Sequence, residues 1–360
     1  MEIQVILHSK NKQKIFLIFL LSRIIYGFII FSTGCGLADL YTYCDNEHYI
    51  AIAENGYMEE WQTAFFPLIP VLIRIIGQKG VFIINQIAAL FSMYILDFLA
   101  DDLYVVELYA FSVISFFSLM MYTESLLFFL SILAYYLFKK RYLDLRLGII
   151  IGLCVFTKAI GAMIYISVFI SMVFLYFKKQ QKKEAFIKVF LPATIIGSVY
   201  PIYLQIKFGN WRLFIDCQYN DWGRIRTNFI QEISLQIKYI FSEARYIYKI
   251  NEVISLTMVI LIIYELLRYI RVNMLEKNNF CDVLVLALYT FLSIVSINGT
   301  IRVPINNAPT TSFYRYYYCI FPIFLFSGKL NKHEKQIIYI ISSGLSFSVA
   351  YLFSKNFYFY

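Results

Sequence analysis

The sequence predicts an all-α, polytopic integral membrane protein on three grounds: its composition, the length of its apolar segments and the placement of its basic residues. Hydrophobic residues make up 60% of the 360-residue chain and charged residues 15%, and the mean hydropathy is +0.66. Soluble domains average about 45–50% apolar and about 25% charged residues. The composition therefore excludes an ordinary soluble domain.

Apolar segments of the length that crosses a bilayer, roughly 20 residues for a helix, recur along the whole chain. They predict nine to eleven spans, near 15–33, 81–99, 105–121, 125–138, 147–157, 161–177, 187–206, 252–268, 282–298, 314–328 and 336–353. Several of these segments are short. The stretches 105–138 and 147–177 are therefore expected to contain broken, tilted helices.

The basic residues predict the orientation of these spans. The net charge is +9, and Lys and Arg cluster at 10–14, 139–146, 178–183, 268–277 and 329–335. Loops rich in Lys and Arg remain in the cytoplasm. If the N-terminus is cytosolic, all five basic clusters lie in the cytoplasm. The segments on the opposite, luminal side are then 34–64, 122–124, 158–161, 207–250 and 299–313. This topology explains the basic runs, so nucleic acid is not expected as a partner.

In this topology the apolar segment 65–76 must return to the luminal side without crossing the membrane. Pro67 and Pro70 bracket its start, and proline interrupts a regular helix. An interfacial or re-entrant helix after the first span is the natural interpretation. The chain is then one integral membrane domain over 1–360, whose longest luminal loops are 34–64 and 207–250.

Six cysteines are scattered along the chain without the spacing of a zinc or redox motif. Cys35, Cys44 and Cys217 fall on the oxidising side of the predicted topology, so one disulfide among them is possible. The sequence does not select the pair. No metal site and no cofactor are predicted.

The first luminal loop is purely acidic. Between Cys35 and Thr63 there is no Lys or Arg, while six Asp and Glu residues occur there. Asp45 is the main candidate for chemistry, since tyrosines and isoleucines surround it and an Ala-rich helical turn follows. A helix N-terminus favours an ionised acid, which suits a general base. The alternative is a solvated loop acid.

Further candidates line the same predicted side. Glu47 and His48 are expected to orient a substrate phosphate; a metal is the alternative, for which one carboxylate and one imidazole are weak evidence. Glu124 stands at a span boundary, as part of the site or as a surface acid. Lys158, at the break between two short spans, either contacts an anion or reaches out to the interface, since an unpaired cation in the membrane is costly.

Arg315 lies among Tyr314, Tyr316, Tyr317 and Tyr318. This setting is typical of a phosphate contact or of an interfacial aromatic belt. Arg302 presents the same choice. The sequence contains no glycine-rich phosphate loop, no Asp-x-Asp motif in a soluble domain and no Ser-His-Asp triad candidate. A group donor is therefore expected to be a lipid already in the membrane.

Segment 45–57, followed by Trp61 and by Ala-Phe-Phe-Pro at 64–67, resembles the first luminal loop of the GPI mannosyltransferase 2 family. The family pattern is Asp-x-x-His, then Tyr or Phe, x-x-Ile-Ala-x-x-Gly-Tyr-x-x-Glu, leading into Ala-Phe-Phe/Ser-Pro. Weaker similarities follow at 122–125, 157–161, 210–222 and 313–316. Two positions depart from the pattern: Cys44 replaces a Trp, and Lys158-Ala159 replaces Arg-Ser.

The resemblance implies a GT-C type glycosyltransferase of the endoplasmic reticulum membrane. Its donor would be dolichyl phosphate mannose and its acceptor the mono-mannosylated glycosylphosphatidylinositol (GPI) precursor, joined by an α-1,6 bond. An accessory membrane subunit would be expected as a partner. The donor is β-linked and the product α-linked, so the reaction inverts the anomeric carbon and needs a base on the acceptor hydroxyl.

On this interpretation Asp45 is the base. Lys158 and Arg315 stabilise the departing dolichyl phosphate, Glu47 and His48 position the acceptor, and Glu124 belongs to the substrate site. Three alternatives remain: a polyprenyl-phosphate-sugar-dependent transferase acting on another cell-envelope polymer, a lipid transporter, and a non-catalytic scaffold subunit.

Overall fold

The structure is a computed structural model, and it describes residues 10–36, 39–41, 44–242, 244, 246–275, 280–302, 310 and 313–355. Within these residues the chain is helical apart from one small two-stranded sheet. The predicted all-α, polytopic membrane class is confirmed.

The helices of the first half of the chain carry the candidate residues of the acidic loop and of the two predicted breaks. Their bounds are α1 (Lys12–Ser32), α2 (Asp45–Asn55), α3 (Leu68–Ala100), α4 (Leu103–Ala110), α5 (Val113–Phe117), α6 (Thr123–Lys139), α7 (Leu145–Thr157), α8 (Ala162–Phe177) and α9 (Lys183–Phe208). Short 3-10 turns occupy Asp39–Tyr41, Glu60–Ala64 and Ala159–Gly161.

The second half begins with the long loop predicted to be luminal. It contains α10 (Leu213–Asn220), β1 (Arg224–Arg226), α11 (Phe229–Ile240), α12 (Tyr246–Leu275), α13 (Phe280–Ile297), β2 (Thr300–Arg302), α14 (Phe313–Tyr317), α15 (Pro322–Ser327) and α16 (Lys332–Ser354).

Seven helices in the described part of the chain are long and apolar enough to cross a membrane. They are Lys12–Ser32, Leu68–Ala100, Ala159–Phe177, Lys183–Phe208, Tyr248–Asn273, Phe280–Ile297 and Lys332–Ser354. The other predicted spans fall on shorter helices: 105–121 on α4 and α5, 125–138 on α6, 147–157 on α7, and 314–328 on α14 and α15. The prediction of broken helices in 105–138 and 147–177 is therefore confirmed.

Helix α3 contains the predicted interfacial piece. Its backbone is non-helical at Gly77, with φ 73° and ψ 170°, so 68–76 and 78–100 are separate helical segments. At about 1.5 Å per residue, segment 68–76 covers less than half of the hydrocarbon core. This short segment fits the predicted helix that returns without crossing.

Helix α6 is the centre of the bundle and α1 lies at its edge. Nearly every residue of α6 is buried, whereas Ile24 and Phe28 of α1 are 68% and 75% exposed. Apolar side chains at that exposure require a lipid surround, because water would penalise them. Glu124 is thus at the N-terminus of the most enclosed helix.

The five segments predicted to be luminal meet at one end of the bundle. Trp222 Nε1 in 207–250 donates to the Trp61 carbonyl in 34–64 at 3.0 Å. Strand β1 pairs with β2 antiparallel, with Arg224 opposite Arg302; the Arg302 side chain lies outside the described residues. The segments 122–124 and 158–161 join through ion pairs that are given below.

The predicted cytoplasmic loops meet at the other end. Lys335 binds Asp102 at 2.6 Å, and Arg268 binds Glu334 at 3.1 Å. Both pairs connect segments that the basic clusters placed on one side. The partition of loops into two groups therefore holds, and which group faces the lumen stays a prediction.

Candidate active site

Four of the six predicted site residues form one ion-pair cluster at the end of the bundle where the acidic loop lies. Arg315 Nη1 is 3.0 Å from Asp45 Oδ2, and Arg315 Nε is 3.2 Å from Glu124 Oε1. Lys158 Nζ is 2.7 Å from the same Glu124 oxygen. Two acids and two cations from four separate segments thus alternate in space, and we call them the charged cluster.

Asp45 is the first residue of α2, as the sequence predicted. Two features fix its position. Asn46 is fully buried, and its Nδ2 donates to the Leu40 carbonyl at 2.5 Å. Cys44 has φ 55° and ψ −126°, a backbone conformation that side-chain-bearing residues rarely adopt and that is retained where the surroundings enforce it. The carboxylate is therefore held at a constrained turn.

Glu124 lies in the first turn of α6, where the helix dipole favours a negative charge. Its side chain is 2% exposed. A buried carboxylate is costly unless it is paired and hydrogen-bonded. Lys158 and Arg315 both bind its Oε1 atom, so its charge is compensated by two cations.

Lys158 stands where α7 ends, at the predicted break. Its extended backbone interrupts the helix before the 3-10 turn Ala159–Gly161. Gly161 lies directly against the Cys154 carbonyl, where a Cβ atom would overlap the oxygen. Glycine is therefore required for the turn that aims the Lys158 ammonium at Glu124.

Arg315, in the middle of α14, is enclosed by aromatic rings. Its guanidinium carbon is 5.0 Å from the ring centre of Tyr122 and 5.5 Å from that of Phe117. Its Nη2 donates to the Tyr316 hydroxyl at 3.1 Å, and the Lys158 ammonium is 4.3 Å from the centre of the Tyr316 ring. Cation–π contacts and ion pairs together hold both cations in place.

Exposure varies across the charged cluster. The Asp45 and Lys158 side chains are 26% and 23% exposed, against 11% for Arg315 and 2% for Glu124. Asp45 and Lys158 are thus reachable by a substrate, while Glu124 lies beneath them. A base and a cation at the rim, supported by a buried acid, can deprotonate a hydroxyl and stabilise a nearby anion.

The other two predicted residues lie outside this cluster. Glu47 is exposed on α2, and it takes no part in the ion pairs that join the four charged residues. His48 is half-buried among aromatic rings, 5.0 Å from Trp61, 4.9 Å from Phe65 and 6.3 Å from Trp222, measured between ring centres. His48 therefore belongs to an aromatic pocket beside the charged cluster. The roles predicted for both residues stay predictions.

The sequence indicated some of the neighbours but not their roles. Tyr122 and Tyr316 were part of the family-like segments, and the structure adds that they pack on Arg315. Trp222 joins His48 across 174 residues of chain (222 − 48). No local spacing predicts such a contact. The aromatic character of Trp222 in a loop predicted to be luminal was the available signal.

The predicted disulfide does not involve Cys217. Its thiol is free and buried, and it donates weakly to the Phe214 carbonyl at 3.5 Å. Burial raises the pKa of the Cys217 thiol to about 11. This cysteine packs α10 against the 3-10 turn Glu60–Ala64 and acts as a small apolar side chain.

An apolar groove begins where α2 ends. It has a volume of about 250 Å³ and runs between α2, the start of α3 and α9, with Ile52, Tyr57, Val71 and Tyr203 in its walls and Arg74 beside it. Among the described residues no three His, Cys, Asp or Glu side chains are grouped so as to hold a metal.

The fold and the site together define a polytopic helical membrane protein with a charged cluster where the predicted luminal segments meet. Comparison of the chain with protein-family models, with curated proteins and with solved structures found no match.

Proposed function

We propose that this protein is an inverting, lipid-phosphate-dependent mannosyltransferase that adds the second mannose to the GPI precursor. The donor would be dolichyl phosphate mannose, the acceptor the mono-mannosylated precursor and the compartment the endoplasmic reticulum lumen. The family resemblance of segment 45–57 supports this choice of substrates. An accessory membrane subunit is part of the proposal on the same ground.

The observation that carries the proposal is the charged cluster. Asp45, Glu124, Lys158 and Arg315 were selected from four distant segments by sequence alone, and their charged atoms lie within 2.7–3.2 Å of a partner. A scaffold protein has no need for a carboxylate and two cations at a substrate-accessible rim. Charged side chains that converge in this way are typical of active sites.

The chemistry proposed is one displacement. The acceptor 6-hydroxyl oxygen attacks the anomeric carbon of the donor as the bond from that carbon to the phosphate oxygen breaks. Asp45 accepts the hydroxyl proton, and dolichyl phosphate leaves with the electron pair of the broken bond. Lys158 and Arg315 stabilise the charge that develops on the departing phosphate.

The lipid character of both substrates agrees with the surroundings of the site. The groove of about 250 Å³ along α2 has apolar walls suited to a hydrocarbon chain, and His48 with Trp61 provides a surface for the acceptor sugar. Aromatic rings with a polar edge suit such a boundary between lipid and water. Glu124 holds the two cations in position.

The test uses cells that lack their own second mannosyltransferase and accumulate the mono-mannosylated precursor. Expression of the wild-type chain should clear this intermediate. The Asp45→Asn variant keeps the shape but removes the base, so the intermediate should persist at equal protein abundance. Glu54→Gln, which alters an exposed acid on the same helix, is the matched control and should clear the intermediate as the wild type does.

The possible failures are distinguishable. If Asp45→Asn clears the intermediate at the wild-type rate, Asp45 is not the base. If neither chain clears it although both are stably inserted with the accessory subunit co-expressed, the proposed acceptor is wrong. A transferase for another polymer, using a polyprenyl phosphate sugar, then becomes the better hypothesis.

A further inference from the structure

A second buried polar site lies between α11 and α12, apart from the charged cluster. Helix α11 contributes Glu232 and Gln236, one turn apart, and α12 contributes Asn251, Glu252 and Ser255. Each of these side chains is at most 4% exposed. We call these five residues the oxygen site, because every one of them presents oxygen atoms.

All the hydrogen bonds that the two carboxylates of the oxygen site accept go to the Oε1 atom of each. Gln236 Nε2 donates to Glu232 Oε1 at 2.8 Å. Glu252 Oε1 accepts from the Thr310 backbone N–H at 2.9 Å, from the Thr310 hydroxyl at 2.8 Å and from Asn251 Nδ2 at 3.3 Å. Both Oε2 atoms are left over.

Five buried oxygen atoms therefore have no hydrogen-bond partner: Glu232 Oε2, Gln236 Oε1, Asn251 Oδ1, Glu252 Oε2 and Ser255 Oγ. Unsatisfied buried polar atoms are rare in folded proteins, and each requires an explanation. Four of the five can only accept, because carboxylate and amide oxygens carry no hydrogen. They lie on two helices that pack against each other, which indicates a missing positive partner.

The charges lead to the same conclusion. In the part of the chain that the structure describes, neither Glu232 nor Glu252 has a Lys or Arg acting on it, and Glu252 acts on Glu232 as a like charge. Two enclosed carboxylates without a counter-charge require a proton or a cation.

We infer that the oxygen site binds a hard divalent cation, with Ca²⁺ as the best fit. Ca²⁺ takes six to eight oxygen ligands from carboxylates, amide carbonyls, hydroxyls and water at flexible geometry. The five unpartnered oxygens supply most of such a shell and water completes it. The absence of His or Cys among these five residues disfavours zinc and copper.

The cation would brace the luminal end of the molecule. It would join α11 to α12, and through Glu252 to Thr310, which shortly precedes α14. Tyr317 on α14 is close enough to Glu232 and Glu252 to interact with their charges. Arg315 of the charged cluster precedes Tyr317 by two residues on the same helix. The cation would thus be structural and would hold the helix that carries Arg315.

The test measures cation binding by the purified full chain in detergent. Tb³⁺ replaces Ca²⁺ at oxygen sites, and excitation of nearby tyrosines sensitises its emission. Tyr239 and Tyr317 lie close enough to Glu252 to interact with its charge, so these two tyrosines would sensitise the bound ion. We expect saturable emission that Ca²⁺ displaces, and a melting temperature that rises with Ca²⁺ because the ligand binds only the folded chain.

Three variants make the test specific. Glu232→Gln and Glu252→Gln should each weaken Ca²⁺ affinity by about tenfold or more, since affinity depends on the number of charged ligands. Ser255→Ala, which removes one neutral ligand, should weaken it by a smaller factor and keeps the inference testable if a Gln variant does not fold. Asp216→Asn, which alters a half-buried acid outside the oxygen site that is paired with Arg212, is the control and should bind as the wild type does.

Two results would overturn the inference. One is equal Tb³⁺ and Ca²⁺ binding by the wild type and all three site variants. The other is a wild type that shows neither Tb³⁺ emission displaced by Ca²⁺ nor a Ca²⁺-dependent thermal shift. In that case a higher melting temperature for Glu232→Gln would mean that the two carboxylates share a proton.

Discussion

At the residue scale, the two acids of the charged cluster differ in function because they differ in burial. Asp45 is 26% exposed and has one cationic partner, whereas Glu124 is 2% exposed and binds both Lys158 and Arg315. The exposed acid is free to meet a substrate hydroxyl. The buried acid compensates two cations that would otherwise repel each other in a low-dielectric interior.

Glu124→Gln should therefore destabilise the fold more than any other single change in the charged cluster. The substitution leaves two enclosed cations with only Asp45 as a partner, and breaking a buried pair in this way costs about 3–5 kcal/mol. Lys158→Gln should cost less, because Arg315 still pairs with both acids. The free energy of unfolding in mixed detergent micelles measures both.

Glu60→Gln serves as the control for that series, since Glu60 is an exposed acid of the 34–64 loop that also contains Asp45. Its effect should stay within about 0.5 kcal/mol. Equal losses for Glu124→Gln and Lys158→Gln would contradict the idea that Glu124 compensates two cations.

Cys217 should react slowly with thiol reagents. Only the thiolate is nucleophilic, and burial raises the pKa of this thiol to about 11, so little thiolate is present at pH 8. Mass spectrometry after brief maleimide treatment should find Cys217 unmodified in the folded protein and modified after denaturation. Rapid modification of the folded protein would show that α10 does not pack as described.

The sequence predicted the members of the charged cluster better than their partners. Lys158 and Arg315 could be selected because an unpaired cation at that depth is costly. Asp45 was selected from its place at a helix start in a purely acidic loop, and Glu124 from its position at a span boundary, where a surface acid was the alternative. That Arg315 pairs with Asp45 could not be predicted, because the contact depends on how α2 and α14 pack. Glu47 shares the motif with Asp45 but lies on the exposed face of α2.

At the scale of elements, close helix packing around α7 places Lys158. Gly148 and Gly152 of α7 face α9; a Cβ on Gly152 would lie 2.8 Å from Ile196 Cβ, and one on Gly148 would meet the Val189 carbonyl. Small residues spaced by four allow helices to approach closely inside a membrane. This contact fixes α7 and hence the turn that follows it.

Gly161→Ala should disturb the charged cluster without touching it. The added methyl group overlaps the Cys154 carbonyl, so the turn must shift and carry Lys158 with it. We expect a loss of about 1–3 kcal/mol of stability and a marked loss of activity, measured by thermal unfolding and by clearance of the mono-mannosylated intermediate.

Gly27→Ala on α1 is the matched control, because nothing lies within 4 Å of the added Cβ. Alanine at this helical position should be neutral or stabilising by up to about 1 kcal/mol. If both glycine variants behaved alike, the close approach of Gly161 to α7 would not govern the site.

The elements themselves were largely predictable where apolar runs are long. Spans such as 187–206 and 336–353 correspond to α9 and α16, each extending a few residues further. The separation of 65–76 from the span near 81–99 followed from parity combined with Pro67 and Pro70, whereas the position of the break at Gly77 comes from the structure. The oxygen site was not predictable, since Glu232, Gln236 and Glu252 come from two helices and no motif spacing links them.

At the scale of the whole molecule, the loops separate into two groups at opposite ends of the bundle. Single cysteines introduced as Glu54→Cys and Asp221→Cys should be labelled by a membrane-impermeant reagent from the luminal side only. Lys332→Cys should be labelled only from the cytosolic side. All three positions are exposed, and the unmodified chain gives the background from the native cysteines.

Labelling of position 332 from the same side as position 54 would contradict the positive-inside assignment. It would also separate the Lys335–Asp102 and Arg268–Glu334 pairs from the cytoplasm, where their basic residues are expected. The topology, and with it the luminal placement of Asp45, would then be wrong.

The central claim is that Asp45 at this luminal end promotes inverting mannose transfer from a lipid phosphate. The most direct measurement incubates the purified chain, with its accessory subunit if required, with β-linked dolichyl phosphate mannose and the mono-mannosylated acceptor. We expect an α-1,6-linked product that Glu54→Gln still forms and that Asp45→Asn reduces by about a hundredfold to ten-thousandfold, the range expected for loss of a general base. A β-linked product, or undiminished transfer by Asp45→Asn, would contradict the account.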